Sequence, residues 1–150
     1  MDSVRDEHDY LQAFRGSFRG VLRWEQLGQL WENLRRRSRA DWYAYTVGKT
    51  PPAAPLSPEA LESFIHDIDQ LLRREHDEDY CGIVYADDLD CPSFVKIFNP
   101  RNLGVVCGFS EHPPLPGWTL SILPPVDLPA ATAPAPTGFR RLLGLLMSSG

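Results

Sequence analysis

The run "LSPEALESFIHDIDQLL", Leu56 to Leu72, constrains this chain more than any other. Ser57 offers an N-cap oxygen, and Pro58 suits the first helical position, where its missing N–H costs nothing. Leu61, Phe64, Ile65, Ile68, Leu71 and Leu72 then recur at helical spacing, with His66 at the boundary of the stripe. The pattern ends near "RREHDED", 73–79. A single helix of this kind is marginal in water, so it needs an apolar layer beneath it.

Strand-like runs supply that layer. "DWYAYTVG" (41–48) is aromatic-rich and closed by glycine, and "KTPPAAPLS" (49–57) after it is a proline-rich loop. "YCGIVYAD" (80–87) and "SFVKIFN" (93–99) flank the turn "DLDCP", which predicts a hairpin. "WTLSIL" (118–123) alternates, so Trp118, Leu120 and Ile122 are expected inside, with Thr119 and Ser121 in water. Residues 4–37 read as helical through Phe14, Phe18, Val21, Leu22, Leu27, Leu30, Trp31 and Leu34, with a break near "FRGSFRG" (14–20). "RRRSR" (35–39) places cations at the negative end of that helix.

These elements predict an α+β fold: a small, mainly antiparallel sheet of three to four strands, two main helices packed on one face, and a flexible C-terminal tail. The helix between the first strand and the hairpin leaves a parallel crossover, and so a mixed sheet, open. Residues 1–123 form the expected domain, 124–137 a Pro/Ala-rich linker, and 138–150 a short amphipathic helix or docking peptide.

Composition narrows the class. With 150 residues, 43% hydrophobic and 23% charged, the chain suits one globular domain. A net charge of −5 argues against a nucleic-acid partner. The N-terminus "MDSVRDEHDYLQAF" is charged from its second residue, unlike a secretory leader. No window approaches the roughly 18 apolar residues of a membrane span. Three cysteines, Cys81, Cys91 and Cys107, point to reduced thiols and a cytoplasmic location.

The segment "VCGFSEHPPLPGW" (106–118) raises the question of thiol chemistry. Cys107, with His112 five positions on, is the candidate nucleophile with its base, and Cys81 could join them around a metal. Cys91 belongs at the hairpin tip, too far from Cys81 to share an ion, and no C-x₂₋₄-C pair is present. The competing and commoner reading makes these thiols small core hydrophobes and His112 a loop residue. No cofactor is expected.

"EHDED" (75–79) and "DDLD" (87–90) hold seven carboxylates but lack the glycine and distal glutamate of an EF-hand. They read as solvated acids that give one end of the molecule a negative field, attractive to a basic partner. The aromatics exceed what one covered sheet face can bury, and the surplus suggests a partner surface or a ligand cleft.

In the tail, Phe139, Leu142, Leu143, Leu146 and Met147 share one helical face, with Arg140 beside it. Such a helix docks on its own body, on a partner or on a membrane, and two arginines are few for a membrane. The layout of residues 124–148 is similar to the encapsulation peptides that tether proteins to bacterial microcompartment shells. That resemblance implies docking on a second protein surface. The expected function is a non-enzymatic accessory or adaptor protein acting through protein–protein contacts. The alternative is a metal carrier, redox factor or small enzyme using Cys107 with Cys81 and His112.

Overall fold

The computed structural model describes residues 2–102 and 114–132. In chain order the elements are α1 (Asp2–Phe14), β1 (Arg19–Val21), α2 (Trp24–Arg35), β2 (Tyr43–Thr46), α3 (Pro58–Glu75), β3 (Val84–Ala86), β4 (Phe94–Ile97), β5 (Trp118–Ser121) and α4 (Leu128–Ala131). The fold is α+β. Among the described residues the sheet has five strands, not three to four, in the order β1-β3-β4-β5-β2, and every neighbouring pair is antiparallel. Among the described residues no parallel crossover is made, because β2 pairs with β5 at the far edge.

The additional strand lies where a helix break was expected. The run after Phe14 leaves the helix, and Arg19–Val21 pairs with Val84–Ala86. Gly20 is opposite Tyr85, and a Cβ there would come within 3.0 Å of the Tyr85 ring. Glycine therefore lets the ring lie against the edge strand. α2 is preceded by its N-cap Arg23, whose backbone N–H donates to the Gln26 side chain at 2.9 Å.

α2 and α3 run antiparallel across one face. Arg35 at the end of α2 pairs with Glu62 near the start of α3 at 2.8 Å, and Arg73 near the end of α3 lies over the ring of Trp24. Ser57 caps α3 by accepting from the Ala60 N–H at 3.1 Å. The α3 stripe buries Leu61, Ile65, Ile68 and Leu72. These meet Leu27, Leu30, Trp31 and Leu34 from α2 and Val84, Ala86, Val95, Ile97 and Leu120 from the sheet. Each of the leucines, isoleucines and valines contributes about 1.5–3 kcal/mol by leaving water.

The opposite face is covered as well. Tyr10 of α1, Tyr45 of β2, Phe94 of β4 and Leu128 of α4 are fully buried together. Thr119 and Ser121, expected in water, are also fully buried. Their hydroxyls have partners: the Tyr10 and Thr119 hydroxyl oxygens are 2.7 Å apart, and Ser121 donates to the Leu123 carbonyl at 2.7 Å. Alternation of polar and apolar residues in β5 thus reflects a second, hydrogen-bonded core rather than a wet face.

The run 124–132, expected as linker, is placed against the body. Asp127 accepts from the Ala130 N–H, and the Leu128 N–H donates to the Tyr45 hydroxyl at 3.1 Å. Among the described residues, no helix is long and apolar enough to cross a membrane.

Candidate functional site

Cys107 and His112 lie outside the described residues, as do Phe139, Arg140, Leu142, Leu143, Leu146 and Met147. Cys81 is described. It is fully buried in the main core, and burial raises its thiol pKa, which disfavours the thiolate needed for attack or metal binding. Cys91 is exposed in the hairpin loop, so the two thiols occupy different environments. Among the described residues, no group of three or more His, Cys, Asp or Glu side chains is placed to hold a metal ion.

The acids of the hairpin loop shape the loop. One Asp87 carboxylate oxygen accepts from the Ser93 and Phe94 N–H groups at 2.9 and 3.0 Å. Asp88 accepts from the Asp90 and Cys91 N–H groups, and these bonds lower its pKa. The two acidic runs also do not share one end of the molecule. Trp24, at the start of α2, donates its indole N–H to the Glu78 carbonyl, whereas Asn33, near the end of α2, donates to the Leu89 carbonyl. The length of α2 separates them, roughly 15 Å at the helical rise. "RRRSR" closes α2 against neighbours: Arg35 pairs with Glu32 and Glu62, and Arg37 donates to the Pro92 carbonyl.

Two features stand out. The first is at the meeting of β1, α2 and the end of α3. The Leu22 carbonyl accepts from the Cys81 N–H at 2.7 Å, which brings the Leu22 backbone alongside the residue that follows Tyr80. Leu22 is 63% exposed and Tyr80 56%. The His76 ring lies between Trp24 and Tyr80, at 6.2 and 6.1 Å between centroids. Its Nε2 is buried and has no hydrogen-bond partner among the described residues. Gly82, at φ +69°, turns the chain into β3 with the Tyr80 ring packed against it.

The second feature is Lys96, in the middle strand of the sheet. Strand alternation sends Val95 and Ile97 into the main core, and Phe94 and Lys96 to the α1 side. In register, Lys96 stands between Tyr85 and Thr119. Its Nζ lies 3.9 Å from the ring centre of Phe18 and 4.1 Å from that of Phe14. The rings offer their negative faces to the ammonium. Partial burial pulls the pKa down from 10.5 to about 8.

A cleft of about 370 Å³ opens beside Lys96, lined by Phe18, Gly82, Ile83, Tyr85, Lys96, Phe98 and Pro114. The Tyr85 and Phe98 rings meet edge to face at 5.8 Å along one wall. Among the described residues, Lys96 is the one charged group in that lining. A neighbouring cleft of about 300 Å³ shares Phe98 and Pro114 and is walled by Val47, Trp118 and Pro129.

Sequence reasoning did not single out Lys96, although a signal was present. It is one of two lysines among many arginines, and it interrupts the apolar strand "SFVKIFN". Phe14 and Phe18, four residues apart, were assigned to a helical face, whereas Phe18 follows the end of α1. Comparisons with family models, with curated proteins and with solved structures find no match for the chain.

Proposed function

We propose that this chain is a non-enzymatic accessory protein that works as an adaptor through protein–protein contacts. Its α+β body offers one surface, and residues 138–150 dock on a second partner. The observation that supports this reading is the exposed Tyr80, packed edge-on to His76 with Trp24 on the ring's other side, and the exposed Leu22, whose carbonyl bonds the next residue's N–H, that of Cys81. Large apolar side chains gathered in water mark interaction surfaces more often than single exposed ones do. Tyr and Trp are also favoured anchors at such contacts. The exposed acids Asp77, Glu78 and Asp79 border the patch, so the fitting partner carries an apolar anchor with a basic rim.

The thiol-based alternative relied on Cys81 together with Cys107 and His112. Burial of Cys81 in the main core, with its raised pKa, lends that reading no support.

Capture from cells that express the protein tests the adaptor reading. Three immobilised chains are compared: the full chain, the full chain carrying Leu22→Ser and Tyr80→Ser, and a chain ending at Thr132. Circular dichroism verifies that each is folded. The double substitution is expected to lose one partner at least tenfold, and the shortened chain to lose a different one. The same partners at the same recovery on all three would contradict the reading.

A further inference from the structure

We propose that the cleft beside Lys96 binds a small carboxylic acid with an apolar body, its carboxylate on the Lys96 ammonium and its hydrocarbon against Ile83, Tyr85 and Phe98. The inference stands on the geometry of the cleft and is independent of the adaptor reading.

Three observations carry it. First, the cation lacks an anion among the described residues. The ion pairs among the described residues all use arginine, and none involves Lys96. An ammonium has three N–H donors, and the faces of Phe14 and Phe18 satisfy its charge without offering a lone pair. Second, the walls are apolar and aromatic, so a ligand that only matched the charge would leave them wet. Third, the volume of about 370 Å³ lies near the small end of ligand sites, roughly 300–1,000 Å³.

The same features discriminate among anions. A phosphate is usually met by several donors, by a bidentate arginine or by a helix N-terminus. Among the described residues, the cleft lining supplies one lysine and no arginine. A monovalent carboxylate attached to a ring or a short chain matches one cation and an apolar wall. The Lys96 ammonium then exchanges part of its lost hydration for a charge-assisted hydrogen bond.

The test uses the full chain and isothermal titration calorimetry with 4-phenylbutyrate, cinnamate and octanoate, each beside its uncharged primary amide. At least one carboxylate is expected to bind, with its amide at least tenfold weaker. Lys96→Met is expected to weaken the carboxylate at least tenfold and leave the amide unchanged, while Lys49→Met alters neither. The comparison of acid with amide on the unsubstituted chain needs no variant, and Lys96→Gln replaces Lys96→Met if the latter does not fold. Binding of none of the three acids at millimolar concentration would overturn the proposal. So would equal affinity for acid and amide, or an acid affinity indifferent to Lys96→Met.

Discussion

The Lys96 ammonium lies 3.9 Å from the centre of the Phe18 ring, on the face of the middle strand that α1 covers. Position and chemistry oppose each other there. The strand places the side chain toward a core, and the charge resists leaving water. Aromatic faces reconcile the two in part, and the remaining cost is read in the pKa, lowered to about 8 by burial alone.

That shift makes stability depend on pH with a definite sign. Between about 8 and 10.5 the unfolded chain holds a proton on Lys96 that the folded chain has released. Stability therefore rises with pH across this window through Lys96, and the group's cost is constant below it. Lys96→Met is expected to be more stable than the parent at pH 7, with the margin narrowing from pH 8 toward 10. Urea unfolding of both chains at several pH values checks this, and taking the difference removes the contribution of Tyr10, whose pKa burial raises. A margin constant from pH 7 to 10 would contradict a half-buried Lys96.

The Tyr10–Thr119 hydrogen bond joins residues 109 apart in sequence and closes the second core. Tyr10→Phe leaves the buried Thr119 hydroxyl without that partner and is expected to cost about 1–2 kcal/mol. Adding Thr119→Val removes the orphan and should recover part of the loss. Denaturant unfolding of the single and double variants measures the coupling. A negligible effect of Tyr10→Phe would mean that Thr119 is in water, as its alternation with Trp118 and Leu120 first suggests.

Leu128 ties the run 124–132 to the body. It is fully buried, and its N–H donates to Tyr45. A chain ending at Leu123 is expected to be about 3 kcal/mol less stable than one ending at Thr132, from the lost side chain and the orphaned Tyr45 hydroxyl. Leu128→Ala in the full chain should cost roughly 2–4 kcal/mol. Equal unfolding midpoints for the two shortened chains would return 124–132 to the status of a linker.

Much of the fold was legible because it rests on local pattern. The α3 stripe with its Ser57 cap, the hairpin around "DLDCP", and the strands at "YAYT" and "WTLS" all follow from period and turn chemistry. The second core was not legible for three physical reasons. β1 is three residues long and contains glycine, so it carries no alternation to read. Thr119 and Ser121 are polar yet buried, because tertiary partners satisfy them. Leu128 sits in a Pro/Ala-rich run whose composition resembles a spacer. The Lys96 cleft depends on that second core, since Phe14 and Phe18 reach Lys96 only once β1 turns back along β3. The thiol and tail candidates were chosen from residue type and spacing, and of these only Cys81 falls among the described residues.

The most direct measurement of the central claim is an NMR titration of Lys96 itself. Selective ¹³C labelling of lysine gives two Cε signals, from Lys49 and Lys96, and Lys96→Met assigns them by deletion. The Lys96 signal is expected upfield, from the ring currents of Phe14 and Phe18, and to titrate with a midpoint near 8. A Lys96 signal at the shift of a free lysine, titrating at about 10.4 as in a model peptide, would contradict the account.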